Sequence, residues 1–205
     1  MLTIALPKGR IANESLNIFT TIFGNGFEFE DRKLILKTPQ FNFLLVRNQD
    51  VPAYVKHQAA DLGIVGLDVL EEQELDLVQL LDLGIGKCKV CVGMKNGEFL
   101  DYDKPEIRVA TKMERIAKNY FSKKAMAANI IKLYGSIELA PLVGLCDAIV
   151  DIVESGATMR QNGLHVVETI MESSAYLIAN QNSFIEKKSE ILDLYYRIAP
   201  LVKKD

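Results

Sequence analysis

The chain has 205 residues, of which 49% are hydrophobic and 25% are charged, so it can bury the core of one large or two small domains. Its formal net charge of −3 provides no basic field for non-specific nucleic-acid binding, so an anionic ligand must be held by a local cluster of residues. There is no basic leader with an apolar segment and no run of about 18 apolar residues, which predicts a cytoplasmic protein that does not cross a membrane.

Segments typical of strands and helices alternate along the first half of the chain, which favours an α/β protein with a largely parallel sheet. The apolar spacing and the turn residues predict, in order, a strand at 3–9, a helix at 10–24, a hairpin of 33–37 and 41–47, a helix at 50–59, a strand at 61–66, a helix start at 68–73 and a long strand at 85–95.

A second α/β pattern begins at Ile107 and predicts a second lobe, with a ligand cleft between the two lobes. Its segments are 107–111, 112–124, 126–135, 136–144 and the strand 147–153, followed by a return crossing at 165–180 and one amphipathic helix at 183–204 that packs on the first lobe. We therefore expect a first lobe of residues 1–86 plus 174–205 and a second lobe of residues 87–173.

Four polar loops follow predicted strands, and open α/β sheets place ligands beyond the carboxyl ends of their strands. These loops are PKGR at 7–10, VRNQD at 46–50, GLD at 66–68 and ESGAT at 154–158, and we expect them to form one shared site.

The loop ESGAT joins a strand to a short helix that we expect at 159–162, with Gly163 as its stop. Backbone N–H groups and hydroxyls at such a turn bind phosphate, and the nearby carboxylates of Asp151 and Glu154 can accept hydrogen bonds from a sugar. The pattern therefore predicts a phosphosugar site. Ser-Gly turns also cap helices in other α/β proteins, so simple capping remains an alternative.

The other candidate residues are mostly basic. Lys8 and Arg10 flank Gly9, which allows a ligand to approach the backbone closely, although a solvated basic loop is an equal alternative. Arg47 and Asp68 also follow strands, but Asp68 is equally suited to cap the next helix. Lys112 is a candidate with the same reservation, since it can be an ordinary residue of a helix N-terminus.

The histidines and cysteines show no pattern of a metal or redox site. His57 and His165 have no partner at a useful spacing. Cys88 and Cys91 form a lone CxxC whose thiols would point to opposite faces of a strand, so we expect reduced, partly buried cysteines.

The run GSIELAPLVGLCDAIVDIVESGATMRQNGL at 135–164 resembles the signature region of the ATP phosphoribosyltransferases, which begin histidine biosynthesis. IALPKGRI, VRNQDVPAYV, DLGIVGLDVL and RVATKMERIAKNYF resemble further segments of that family in the same order. The resemblance implies a pentosyltransferase that combines ATP and phosphoribosyl pyrophosphate (PRPP) into phosphoribosyl-ATP and pyrophosphate with Mg²⁺. It also implies two α/β lobes of the type II periplasmic-binding-protein architecture, with the active site in the cleft between them.

Site roles follow from the resemblance residue by residue. The loop Glu154, Ser155, Gly156, Ala157 and Thr158 would bind the PRPP phosphate, with Asp151 near the ribose. Lys8, Gly9, Arg10, Arg47 and Asp68 would lie on the ATP side of the first lobe. Lys8, Arg10 and Asp151 are the candidate catalytic residues, and Lys112 would contact pyrophosphate. Glu138 matches a motif position without an assigned role, and the protein ligands of Mg²⁺, if any, are unassigned.

The chain departs from the family at Met113-Glu114, where a Tyr-Pro pair is expected, which leaves the start of that helix in doubt. It also ends at Asp205 without the histidine-sensing domain of longer members. This resembles the short form, which implies a hetero-oligomer, expected to be an octamer, with a regulatory subunit resembling histidyl-tRNA synthetase and feedback inhibition by histidine. A solute-binding protein and a PRPP-dependent transferase with another acceptor base are the alternatives.

Overall fold

The structure is a computed structural model that describes residues 1–24 and 26–202. The strands in these two ranges are β1 (Leu2–Pro7), β2 (Ile35–Lys37), β3 (Phe41–Val46), β4 (Leu62–Gly66), β5 (Val78–Asp82), β6 (Cys88–Lys95), β7 (Ile107–Thr111), β8 (Ala128–Lys132), β9 (Ala148–Val153), β10 (Leu164–Ser173) and β11 (Ala175–Ala179). The α-helices are α1 (Arg10–Phe23), α2 (Val51–Lys56), α3 (Leu67–Gln73), α4 (Glu114–Lys123), α5 (Leu139–Leu142), α6 (Ala157–Gln161), α7 (Gln181–Glu186) and α8 (Lys188–Val202), and a 3-10 helix spans Asn48–Asp50.

The chain divides into two compact units. The first contains Met1–Leu70, Glu74–Gly86 and Ser174–Asp205, and the second contains Glu71–Gln73 and Lys87–Ser173. Each unit is built on one sheet, so the protein has the predicted two-lobe α/β architecture.

The described part of the first unit contains a sheet in the order β2-β3-β1-β4-β11-β5. β1 is parallel to β3 and β4, while β2 is antiparallel to β3, so the predicted hairpin of two short runs is confirmed. β11 is antiparallel to both of its neighbours. The apolar faces of α1 and α8 cover this sheet, and Phe19 is fully buried against the rings of Phe41 and Phe43.

In the described residues of the second unit the sheet order is β10-β6-β9-β7-β8. β7 is parallel to β8 and β9, whereas β6 is antiparallel to β9 and β10. Both sheets are therefore mixed, and the expectation of a largely parallel sheet is wrong. The alternation of strands and helices predicts which strands are parallel neighbours. It does not predict the direction of β6, β10 and β11, because each of these strands is joined to a strand next to it in the chain without a helix between them.

The C-terminal segment forms two helices instead of the predicted one, with a break at Lys187. Asn180 caps α7 because its side chain accepts hydrogen bonds from the backbone N–H groups of Asn182 and Ser183. The Nζ of Lys187 lies 2.8 Å from Oδ1 of Asp61, which also accepts a hydrogen bond from Ser183 Oγ. This network anchors the break. The last predicted helix residues, Lys203 and Lys204, and the terminal Asp205 lie outside the described residues.

Asp61 ties this network to the sheet, because its second carboxylate oxygen accepts a hydrogen bond from the backbone N–H of Thr3 at 2.9 Å. Burial raises the pKa of Asp61, but the hydrogen bonds from Lys187, Thr3 and Ser183 outweigh burial and hold the pKa below its usual value. The carboxylate is therefore charged in the folded protein and stabilises the junction of β1 and α7.

Candidate functional site

A glycine turn closes the end of β9 in the second unit. After Val153 the chain bends through Glu154 and Ser155, and Gly156 has a left-handed backbone with φ of 72° before α6 begins at Ala157. A side chain at Gly156 would strain this conformation, so glycine is the suitable residue. Ser155 Oγ accepts a hydrogen bond from the Ala157 N–H at 3.3 Å. The loop thus has the predicted strand–turn–helix form, with a helix that begins two residues earlier than expected.

The loop borders a cavity of about 270 Å³ that lies within the second unit. Its lining residues are Glu138 and the run from Asp151 to Met159. Drug-sized ligand pockets measure roughly 300 to 1,000 Å³, so this cavity suits a phosphate with part of a sugar more than a whole nucleotide. The structure therefore brings Asp151, all five residues of the loop and Glu138 to one place.

Lys112 forms an ion pair beside this cavity. It follows β7, and its Nζ lies 3.4 Å from Oδ1 of Asp151, with the two side chains 30% and 15% exposed. The same carboxylate oxygen accepts a hydrogen bond from the Ile152 N–H at 2.8 Å. Because β7 and β9 are parallel neighbours, the residues at their carboxyl ends meet at the same edge of the sheet. Lys112 is thus next to the acid and is no ordinary surface lysine.

Arg160 is a basic residue of this site that sequence reasoning missed. A Cβ on Gly156 would lie 2.8 Å from Nη1 of Arg160, so the guanidinium covers the glycine turn. Gly156 precedes α6 by one residue and Arg160 lies one helical turn further on. This spacing is the signal that could have revealed the contact.

The start of α4, left in doubt by Met113-Glu114, is defined by a residue from a distant segment. Met113 supplies no side-chain cap, and α4 begins at Glu114. The carboxylate of Glu72 accepts hydrogen bonds from the N–H groups of Arg115 and Ile116 at 3.1 and 3.0 Å. A carboxylate at a helix N-terminus satisfies free donors and favours the helix dipole. Glu72 lies about forty positions earlier in the chain, and no local pattern points to it.

Lys8 and Arg47 line a second cavity of about 340 Å³ in the first unit, together with Asp50, Tyr54 and an apolar wall. The Lys8 N–H donates to the Val46 carbonyl at 2.8 Å, which joins the ends of the parallel strands β1 and β3. Two predicted basic residues therefore lie in one pocket. The pocket combines cationic groups, which suit the phosphates of a nucleotide, with aromatic and apolar groups, which suit its base.

Gly9 and Arg10 begin α1. Gly9 has φ of 100°, and a Cβ there would meet nothing within 4 Å, so the requirement for glycine comes from the backbone. Arg10 Nη1 lies 3.7 Å from Oε1 of Glu14, whose Oε2 accepts a hydrogen bond from the Gly86 N–H at 2.8 Å. Arg10 therefore has a carboxylate neighbour within its own helix.

Asp68 is buried, with 5% of its surface exposed, in the first turn of α3. The N-cap position of α3 is occupied by Gly66, so the alternative that Asp68 is the N-cap residue is wrong. Asp68 lies two residues inside the helix, where a carboxylate still favours the helix dipole.

Cys88 is partly buried and Cys91 is buried, and both are free thiols. In the described ranges no group of three or more His, Cys, Asp and Glu side chains lies close enough together to hold a metal ion. The carboxylates that line the loop cavity are those of Glu138, Asp151 and Glu154. Mg²⁺ commonly uses one or two carboxylates together with substrate phosphates, so this donor set fits an ion that arrives with its substrate.

Within residues 1–24 and 26–202, no helix is long and apolar enough to span a bilayer.

Residues 47–200 match the sequence profile of HisG, described as ATP phosphoribosyltransferase. The chain is 66% identical over 202 residues to an ATP phosphoribosyltransferase of Sulfurimonas denitrificans, an alignment covering 98% of this chain and 97% of the relative. It is 67% identical over 204 residues to an ATP phosphoribosyltransferase of Campylobacter curvus, covering 100% and 99% of the two chains.

Solved structures show similarity in the fold. The ATP phosphoribosyl transferase (HisG:HisZ) complex from Thermotoga maritima contains a chain that is 31% identical, with a TM-score of 0.85 and full coverage of both chains. The periplasmic aliphatic sulphonate binding protein SsuA from Escherichia coli has a TM-score of 0.64 at 12% identity, covering 97% of this chain and 67% of its own. At that identity the likeness shows the fold alone, and the fold is that of the periplasmic binding proteins.

Proposed function

Because the chain belongs to the ATP phosphoribosyltransferase family, we propose that it transfers the phosphoribosyl group of PRPP to ATP, with the loop Glu154–Thr158 as the phosphate-binding element. The products are phosphoribosyl-ATP and pyrophosphate, in the first step of histidine biosynthesis. The observation that carries the loop assignment is the cavity lined by Asp151, Glu138 and the whole glycine turn, with Lys112 paired to Asp151.

The reaction needs no residue that removes a proton from the attacking atom. A ring nitrogen of adenine has a free lone pair and attacks the anomeric carbon of PRPP, while the bond from that carbon to pyrophosphate breaks and its electrons leave with the pyrophosphate. Positive charge grows on the ribose and negative charge on the leaving group. Alignment of two substrates can contribute about 7–11 kcal/mol when the geometry is good, so a site without a catalytic histidine or cysteine suffices.

In the second unit, the N–H groups and hydroxyls of the glycine turn hold the 5′-phosphate, because such turns bind anions. Asp151 lies in the second half of β9 and is 15% exposed, and its carboxylate accepts hydrogen bonds from the ribose hydroxyls and stabilises positive charge on the sugar. Lys112 supplies a cation for the departing pyrophosphate. Its pairing with Asp151 keeps the ammonium beside the sugar before pyrophosphate forms.

In the first unit, the pocket of Lys8, Arg47 and Tyr54 is the ATP side. The two cations bind the triphosphate, and the planar, partly exposed Tyr54 offers an apolar face to the nucleotide. Gly9 lets the chain approach a phosphate closely, and Arg10 follows it at the N-terminus of a fourteen-residue helix. Asp68 belongs to the same side. The first unit thus serves the nucleotide and the second serves PRPP, with boundaries near residues 86 and 174.

We expect the reaction to use Mg²⁺, as membership of the ATP phosphoribosyltransferase family implies. The ion would neutralise charge on the departing pyrophosphate and would be held mostly by pyrophosphate and ribose oxygens, with Asp151 or Glu154 as the protein carboxylates within the cavity lining. The protein's own contribution is to orient the phosphosugar, with Arg160 over the turn that holds the 5′-phosphate, and to place Lys112 near the developing negative charge.

The chain is proposed to work with a HisZ-type regulatory subunit, because the Thermotoga maritima relative of the same fold is a HisG:HisZ complex. Feedback inhibition by histidine would act through that subunit. We place the reaction in the cytoplasm, where ATP is supplied.

The test is a reconstituted reaction with ATP, PRPP and Mg²⁺, in the presence and absence of the HisZ-type subunit. We expect one pyrophosphate to be released for each phosphoribosyl-ATP that forms. Formation of phosphoribosyl-ATP is measured by the absorbance of this product nucleotide. GTP and free adenine in place of ATP are the control acceptors. Faster pyrophosphate release with either control would identify a transferase for another base, and binding of ATP or PRPP without turnover would identify a binding protein.

A further inference from the structure

A buried hydroxyl lies between the chain segments that carry Lys112 and Asp151. Thr111 is the last residue of β7 and has no exposed surface. Its Oγ donates a hydrogen bond to the Val150 carbonyl at 2.7 Å and accepts one from the Met113 N–H at 2.9 Å. The hydroxyl therefore uses its donor and one acceptor site fully within the protein.

The two bonds reach the immediate neighbours of both members of the ion pair. Val150 precedes Asp151 in β9, and Met113 follows Lys112 at the turn into α4. Thr111 and Val150 are also register partners in the parallel pairing of β7 with β9. On the opposite side of β7, the Thr111 carbonyl accepts a hydrogen bond from the Leu133 N–H at 3.0 Å. One residue thus fixes the turn at Lys112 relative to the strand that ends beside the cavity.

This anchoring matters because lysine is a flexible point charge. Its four-carbon side chain has many rotamers, and the position of its backbone limits where Nζ can reach. The pair at 3.4 Å is partly exposed, so the attraction between the charges alone is a weak restraint. A buried hydrogen bond on each side of the ion pair is a stronger restraint, since breaking it leaves a buried backbone group without a partner.

We infer that Thr111 is a positioning residue for phosphoribosyl transfer, because its hydroxyl holds Lys112 and Asp151 in the geometry that the PRPP site needs. Thr111 touches neither substrate, since it is fully buried. The inference rests on the proposed function of the loop cavity.

The kinetic test compares Thr111→Val with Thr111→Ser. Valine keeps the shape and removes both hydrogen bonds, whereas serine keeps the hydroxyl. Small misplacements of reacting groups can cost about a hundredfold, so kcat/KM for PRPP should fall about tenfold to a hundredfold in Thr111→Val. KM for ATP should stay close to the wild-type value. Thr111→Ser should recover most of the loss.

Ser183→Ala is the control for a general loss of stability. Ser183 is also buried, and its hydroxyl donates to Asp61 at 2.9 Å in the first unit. The variant should show a lower Tm, as Thr111→Val does, and keep the wild-type kcat/KM for PRPP. An equal fall in kcat/KM for PRPP in both variants would show that Thr111 acts only through stability, and would overturn the inference.

A crystal structure of Thr111→Val provides a second measurement that needs no activity. The distance from Lys112 Nζ to Asp151 Oδ1 should grow from 3.4 Å to beyond the ion-pair limit of about 4 Å. An unchanged pair refutes the inference whatever the kinetics show. If wild-type protein forms no phosphoribosyl-ATP, the proposed function fails, while this distance still tests the role of Thr111.

Discussion

Alanine substitutions at two glycines separate backbone strain from ligand binding in the candidate phosphate loop. Gly156 and Gly163 lie just before and just after α6 and have nearly equal left-handed backbones, with φ of 72° and 70°. Gly156 lines the cavity, and Gly163 does not. Gly163→Ala is therefore a matched control for Gly156→Ala.

The two variants should lose similar stability. A left-handed backbone costs an L-residue about 1–2 kcal/mol, and the smaller entropy of the unfolded alanine chain offsets about 0.4–1 kcal/mol. A Cβ at Gly163 would meet nothing within 4 Å, while at Gly156 it would meet Nη1 of Arg160 at 2.8 Å. Arg160 is exposed and can turn away. We expect a net loss of about 1 kcal/mol in each, or roughly 2–4 °C in Tm for a chain of this size.

The effect on PRPP should differ. The methyl group of Gly156→Ala and the displaced Arg160 would prevent the phosphate from approaching the turn. A hydrogen bond to a charged group contributes about 1.5–3 kcal/mol, and each 1.4 kcal/mol is about tenfold in affinity. KM for PRPP should therefore rise about tenfold to a hundredfold in Gly156→Ala and stay unchanged in Gly163→Ala.

The measurement is the initial rate with PRPP varied at saturating ATP, repeated with ATP varied at saturating PRPP, alongside Tm for each variant. Equal PRPP KM values in wild type and Gly156→Ala would refute the loop assignment. A rise of the same size in Gly163→Ala would show that strain in α6, and not the cavity, controls the affinity.

Asp151→Asn should lower kcat about a hundredfold without changing Tm, because the amide cannot stabilise positive charge on the ribose, and wild-type turnover would remove Asp151 from the catalytic site. EDTA should stop turnover and leave the Tm of the substrate-free protein unchanged, because the described residues contain no three-ligand metal group; a lower Tm would indicate a structural ion. Partial burial raises the pKa of Glu168, but hydrogen bonds from Lys124, Tyr102 and Tyr120 outweigh it and lower the pKa from 4.5 to about 2. Because the folded pKa is the lower one, this stabilisation is complete above pH 4.5 and is lost as the pH falls from about 4.5 to about 2; urea unfolding across that range should show a smaller stability loss for Glu168→Gln than for wild type.

Local patterns were reliable where an element buries its own apolar face. The apolar spacing of the first helix was that of Ile11, Leu16, Ile18, Phe19 and Ile22; Leu16 and Phe19 are buried in α1, and the other three are partly buried against the same core. β2 and β3 follow the alternation on both sides of a short turn. The pattern at the C-terminus predicted one helix, and the break at Lys187 was invisible because its cause is Asp61, more than a hundred residues away. Periodicity reports which face of a segment is apolar, and it carries no information on a distant ionic partner.

The residues of the candidate site also fall into two groups, those that a local pattern predicts and those that only the folded chain brings together. The loop Glu154–Thr158 could be predicted because a glycine turn between a strand and a helix is a local feature. Lys112 had an equal alternative in the sequence, and its pairing with Asp151 came from the parallel neighbours β7 and β9. Glu72 could not be predicted, since a carboxylate that caps α4 from a distant helix leaves no trace near Met113.

The amino-acid sequence alone determines the two-lobe α/β class, the family and the position of the glycine turn, because each depends on the types of residues and their order along the chain. Tertiary structure alone decides that both sheets are mixed, that Glu138 lies at the loop with Asp151, and that the Thr111 hydroxyl joins the two strands there. The physical reason is that hydrogen bonds and ion pairs act over about 3 Å in space, and only the folded chain brings residues that are far apart in the sequence within that distance.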